Sequence, residues 1–271
     1  MAEARRLLTV VDNNMFANAL IMSTLLEAFK YGNAPKLSDD QLALSVNFFE
    51  DFQDQNAAYN TSLMSFFTQY YDETVNYWHT GEENQVSLLQ ILKLIPMKFV
   101  EALLNGLAPD NLLKVLYTTL GEKALFQLTQ YIPTDFDDTF VYMGVGSLLF
   151  EMRDQLKTGW ELWSEDNTNI TSVFDALKKY AYRPFSSDPN VNTIDPRSYF
   201  HMRKFLDQAQ SEGSDIALVS TWTESIEEQR TLFYKGVIMP YLVNTVDVTV
   251  GADTIYGMTS LVLSGVVSQM F

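Results

Sequence analysis

Apolar residues recur at helical spacing along most of the chain. Between 13 and 30, Met15, Phe16, Ala19, Leu20, Met22, Leu25, Leu26 and Phe29 mark one helix, and Gly32 and Pro35 close it. Ser38-Asp39-Asp40 caps a second helix over 39–56, with Leu42, Val46, Phe49 and Phe52 on one face. The same spacing predicts helices at 86–105, 110–131, 137–157, 169–182, 196–210, 215–231 and 248–270. The aromatic stretch 61–78, with Phe66, Phe67, Tyr70, Tyr71, Tyr77 and Trp78, fits no one type. No stretch alternates convincingly as a strand. Val243–Val250 comes nearest, but its Asp247 and Thr249 suit a helix start equally well. Breakers mark the loops: Gly81, Pro109, Pro133, and the stretch 183–195 with Pro184 and Pro189. That stretch is the candidate internal boundary in a chain otherwise read as one domain, 1–271.

Three of the helical segments begin with Asp and carry few charges beyond their first turn: Asp12–Leu26, Asp135–Leu149 and Asp247–Leu261. Aligned on that Asp, Thr24, Ser147 and Thr259 coincide, as do Leu26, Leu149 and Leu261. A helix that is apolar nearly all round is buried on all sides. Others carry a charged face, as with Glu224, Glu227, Glu228 and Arg230, or Lys178 and Lys179. Buried inner helices alternating with amphipathic outer ones predict an all-α fold, an α/α toroid of helical hairpins, each roughly 40–50 residues long. The last inner-type helix runs to Phe271 without an outer partner. Either the ring closes on the N-terminal helix or the chain belongs to a longer protein, so a homo-oligomer and a missing second domain both stay open.

Composition narrows the chemistry. In 271 residues there are 18 Lys and Arg against 34 Asp and Glu, a formal net charge of -16. Such a chain repels phosphate, which makes nucleic acid and anionic membrane surfaces poor partners. With Cys 0 and His 2, thiol catalysis, disulfides and imidazole-built zinc sites drop out, and neither a metal nor a cofactor is expected. No run approaches the roughly 18 apolar residues of a membrane span. Leu7–Val11 is too short for a signal-peptide core, while the sequons Asn60-Thr61-Ser62 and Asn169-Ile170-Thr171 tilt the reading toward a mature secreted form. A Gly-rich phosphate loop, a G-x-S-x-G elbow and an H-E-x-x-H helix are all missing.

The sharpest motif is Pro133-Thr134-Asp135-Phe136-Asp137-Asp138-Thr139, or D-x-D-D-T entering a buried helix. Three carboxyl groups in four positions cannot all ionise cheaply in an enclosed site, and one kept protonated can donate to a weak base. D-x-D-D-T at the start of an inner helix resembles the acid motif of class II terpene cyclases, the squalene-hopene cyclase and copalyl-diphosphate synthase group. The resemblance implies Asp137 as proton donor to an isoprenoid alkene, with Asp135 and Asp138 holding and polarising it, and an apolar small molecule as partner. The repeated Q-x-x-x-G-x-W motifs of the squalene cyclases are not found; Gln155-Leu156-Lys157-Thr158-Gly159-Trp160 comes nearest.

The plainer reading of Asp12, Asp135 and Asp247 is a helix N-cap at one repeat position, with Asp137 and Asp138 as first-turn acids favoured by the helix dipole. Asp137 and Asp138 have no acidic counterparts in the other two segments. Candidate ligand contacts are Tyr142, Asp253, Tyr256, Asp12 and Asp247. His79 is expected in a surface turn and His201 on a helix surface or satisfied in the core. Three functions follow as expectations. One is a terpene-cyclase-like protein; another is a non-catalytic toroid binding an apolar ligand or a protein. The third is a carbohydrate-active toroid, hydrolase or lyase, with Asp12, Asp137 and Asp247 at the inner-helix starts converging on the ring opening to supply the acid pair. A cyclase predicts a deep apolar cavity ending at Asp137. A carbohydrate enzyme predicts an open polar groove with Trp and paired acids, roughly 5–10 Å apart.

Overall fold

A computed structural model describes residues 14–57, 60–81, 132–235, 237, 239 and 242–270. The helices expected at 86–105 and 110–131 lie outside them. The described residues are mostly helical: α1 Met15–Lys30, α2 Asp39–Glu50, α3 Phe136–Glu151, α4 Lys157–Asp166, α5 Thr171–Tyr180, α6 Pro189–Asn192, α7 Pro196–Ser211, α8 Ile226–Leu232, α9 Val248–Ser264 and α10 Val266–Met270. Two short strands, β1 Gln69–Asp72 and β2 Tyr77–Thr80, pair as an antiparallel hairpin.

Helix α3 is the axis of the core. Beyond its acidic first turn the sequence is apolar on every face, and all of its residues except Asp137 and the terminal Glu151 are buried. Helices α1, α4 and α9 pack around it, and α2 lies on α4. Glycines set the closest approaches. A Cβ on Gly257 would stand 2.1 Å from the Phe140 carbonyl oxygen, one on Gly146 2.1 Å from the Trp163 ring, and one on Gly144 2.4 Å from the Tyr256 ring. The small residues of the repeated segments therefore serve helix–helix contact.

The starts of α1, α3 and α9 gather at one end, tied by extended segments between them. Met15 donates its N–H to Phe66 O, Asp135 to Met64 O, Phe136 to Thr221 O, and Thr221 to Thr245 O. Isolated bridges run Gln53 to Met64 to Asp135 to Trp222. Asn244, buried, fastens this end: its Nδ2 donates to Trp222 O and Glu224 O, and its Oδ1 accepts from the N–H of Trp222 and of Thr245.

Several element boundaries differ from the periodicity. The expected helix over 215–231 is extended as far as Ser225, because Leu218 pairs with Tyr182 and Trp222 with Asp135 before the capping box of Ser225 and Glu228 starts α8. The expected helix over 248–270 breaks at Gly265, whose φ of 86° ends α9 in the left-handed conformation. The expected 137–157 helix stops at Glu151, and a separate α4 follows a turn. The expected 39–56 helix stops at Glu50. Part of the untyped 61–78 stretch is the hairpin, with Asn76 at φ 50° in its turn. The 183–195 loop holds the short α6.

Candidate functional site

Each acid of the D-x-D-D-T segment has a different environment. Asp135 is the N-cap of α3: its Oδ1 accepts from the Asp138 N–H at 2.8 Å, and its carbonyl accepts from Thr139 Oγ1 at 2.5 Å. Thr139 Oγ1 in turn accepts from the Met64 N–H at 3.0 Å. Burial pushes Asp135 up to about 7 against the pull of the Asp138 and Asp137 groups. Asp138 is buried, and its carboxyl shares a hydrogen bond with that of Asp135. Burial, then the neighbouring Asp135, holds it well above the usual carboxylate range. Asp137 is half-buried and turns toward α9. Burial, a hydrogen bond with Asp253 and the charges of Asp135, Asp253 and Asp247 push it up to about 8.

The structure thus brings Asp137, Asp253 and Asp247 together across the α3–α9 seam. Asp247 is the N-cap of α9, and hydrogen bonds from Thr249 hold it below its ordinary value. Tyr142 lies elsewhere, in the core against Phe49 and Trp163. Tyr256 sits further along the seam beside Gly144, lining a cavity of about 360 Å3 with Lys30 and Glu151. Asp12 lies outside the described residues. None of the three described cavities is lined by Asp135, Asp137 or Asp138. His79 is buried in β2 rather than in a surface turn, near Asp72, and His201 is exposed on α7.

The raised acids make stability depend on pH. Between 3.8 and about 8 the folded state keeps a proton on Asp137 that the unfolded state loses, so this contribution to stability falls as pH rises through that window. Asp137→Asn removes the titration and still offers Asp253 a donor. We expect the variant to match the parent near pH 4 and to exceed it by about 1 kcal/mol at pH 8, discounted for partial exposure. Urea unfolding at both pH values measures the difference; a variant weaker at pH 8 rejects the assignment.

A second constellation lies on the other flank of the motif. Pro133 and Thr134 line a cavity of about 770 Å3, together with Asp54, Tyr77, Trp78, Lys179, Tyr180, Glu224 and Glu228 among others. Glu224 is only 3% exposed, and neither of its carboxyl oxygens has a hydrogen-bond partner among the described residues. Its backbone is held on both sides: the Thr223 N–H donates to Thr134 O, and the Glu224 carbonyl accepts from Asn244. Burial, then the nearby Glu228, pushes it up to about 8.

Glu228 is the opposite case. Burial would raise it, but hydrogen bonds from Lys179, Ser225 and Tyr180 outweigh that and keep it below its ordinary value. Its Oε1 accepts from Lys179 Nζ at 2.6 Å and Tyr180 OH at 3.0 Å, and its Oε2 from Ser225 N at 2.9 Å and Oγ at 2.8 Å. Two carboxyl groups in one cavity with affinities for the proton driven apart are the arrangement that acid–base chemistry needs.

Helical periodicity puts Glu224 and Glu228 on a solvated outer face. The capping-box spelling Ser225-x-x-Glu228 is the available signal that the helix starts after Glu224. A further cavity of about 880 Å3, with Met202, Phe205, Leu218 and Val246 in its wall, reaches Asp247 and Ile255 on α9. Among the described residues no helix is long and apolar enough to cross a membrane, and no group of three or more His, Cys, Asp or Glu is placed to hold a metal ion. The chain matches no protein-family model, and comparison with curated proteins and with solved structures gives no match.

Proposed function

We propose that the protein is carbohydrate-active, a hydrolase or lyase on an α/α-toroid scaffold, and that its ligand occupies the cavity around Glu224. The toroid reading is supported by α1, α3 and α9 starting at one end and packing on one another through small residues. One observation carries the functional reading: a carboxyl group almost wholly removed from water, without a partner among the described residues, in the wall of a cavity of mixed polar and apolar lining. A buried polar group left unsatisfied costs about 1–3 kcal/mol, and a cost kept at a cavity wall marks a group waiting for a ligand. Sugar hydroxyls supply the missing partners, and Tyr77, Trp78 and Tyr180 add aromatic side chains to the wall. Titration calorimetry with oligosaccharides of glucose, galactose, mannose, xylose, glucosamine and uronic acids tests it. We expect binding that Glu224→Ala weakens; no heat with any of them rejects the reading.

A second reading has its own support. Asp137 holds its proton near neutral pH beside Asp253, and Asp247 at the same seam borders the largely apolar cavity of about 880 Å3. That is the terpene-cyclase-like function, with Asp137 protonating an isoprenoid alkene. Product formation from squalene- or geranylgeranyl-type substrates would fall in Asp137→Asn, and unchanged turnover would remove Asp137 as the acid.

A further inference from the structure

Charge and hydrogen bonding around the same cavity separate hydrolysis from elimination. A lyase acts on a uronate: a base removes the proton next to the sugar carboxylate, and cations or hydrogen-bond donors must stabilise that carboxylate as charge builds on it. The cavity wall carries Asp54, Asp188, Glu224, Glu227 and Glu228, and Lys179 is the one cation among the described residues that line it. Lys179 is already engaged, donating to Glu228 at 2.6 Å and to Tyr180 OH at 2.9 Å. A uronate would enter a field of its own sign, with no available counter-charge among those lining residues.

Building on the carbohydrate-active reading above, we infer that the cavity hydrolyses glycosidic bonds of neutral or amino-bearing glycans and does not eliminate uronates, with Glu224 as the proton donor and Asp54 as the proton acceptor. Glu228 is not the acceptor, because four donors already fill its two oxygens. Asp188 and Glu227 are exposed at the rim, and Asp188 caps α6. Asp54 comes from the segment after α2, far in sequence from Glu224, and the Asn56 N–H meets its Oδ1 at 3.1 Å. Burial raises the Asp54 carboxyl, and the backbone N–H groups of Asn56 and Ala57 oppose that rise by favouring the carboxylate.

Water attacks the anomeric carbon and gives a proton to Asp54. The bond from that carbon to the bridging oxygen breaks, and Glu224 passes its proton to the departing oxygen. Exchange with solvent then returns Glu224 to the acid and Asp54 to the carboxylate. The charged group acting on Glu224 is Glu228, which favours its protonated form and itself engages Lys179; Tyr77 feels Asp54, Glu224 and Glu228 together and lies under Lys235.

The experiment uses the whole chain with the six oligosaccharide types named above. New reducing ends report hydrolysis, and an ultraviolet-absorbing unsaturated sugar reports elimination. We expect reducing ends from a neutral or glucosamine oligomer and no unsaturated product. Glu224→Gln should lower kcat by about 100-fold or more with KM within a few-fold, and remove the alkaline limb of the kcat profile. Asp54→Asn should lower kcat and remove the acidic limb. Urea unfolding of both variants confirms that they fold. Binding without cleavage, unsaturated product from the uronate, or an unchanged kcat in Glu224→Gln overturns this inference and leaves the ligand reading standing. Absence of binding to every oligosaccharide overturns both.

Discussion

Gly257→Ala is expected to lower stability by about 2–3 kcal/mol, the loss typical of overpacking a tight contact. The added methyl carbon would stand 2.1 Å from the Phe140 carbonyl oxygen and 2.7 Å from its carbon. Those are backbone atoms of α3, so no side chain can rotate away, and α9 must move off the central helix. That movement also loosens Tyr256 against Gly144 along the same seam. Gly251→Ala is the internal control. It lies on the same helix, and nothing stands within 4 Å of the new Cβ. There, helix propensity alone operates, and a gain of about 0.5–1 kcal/mol is expected. Opposite signs for the same chemical change on one helix isolate the close approach as the cause. Urea unfolding measures both, and equal effects would remove the argument for a packed α3–α9 seam.

Glu224→Gln carries the second large effect: a protein that is more stable and less active. Burial and Glu228 raise the Glu224 carboxyl from 4.5 to about 8, so the folded state binds a proton that the unfolded state releases between those values. This contribution to stability is intact below 4.5 and is lost as pH rises to about 8. Glutamine cannot ionise and carries no such penalty. The variant should equal the parent near pH 4 and exceed it by about 5 kcal/mol at pH 9, an order-of-magnitude conversion of the shift. A carboxyl group that titrated at its ordinary value would show no pH-dependent difference between variant and parent. Gain of stability with loss of turnover is the signature of strain retained for function.

The helical core is legible in the chain and the cavity is hidden, for physical reasons. Helix α3 can be read because apolarity on every face has one packing solution, burial. Ser38 and Asp247 can be read as caps because a short polar side chain before an apolar run satisfies free N–H groups locally. The hairpin at Tyr70 and Trp78 cannot, because bulky aromatic residues run together there without a clean alternation. Segment 215–225 departs from its helical periodicity because its extended form depends on Tyr182 and Asp135, partners far away in the chain. Glu224 is hidden for the same reason. Its burial comes from Thr134, Asn244 and the cavity wall, set by contacts distant in sequence. In the acid motif the spacing announces crowded carboxyl groups, and the structure divides them into a cap at Asp135, a core acid at Asp138 bonded to that cap and an acid at Asp137 bonded to Asp253.

Carbon-13 carboxyl resonances, assigned to Glu224 by their loss in Glu224→Gln, test the central claim most directly. A proton-release midpoint near 8 in the free protein, displaced when an oligosaccharide is added, is the predicted result. A midpoint near the ordinary 4.5, indifferent to every sugar, would contradict it.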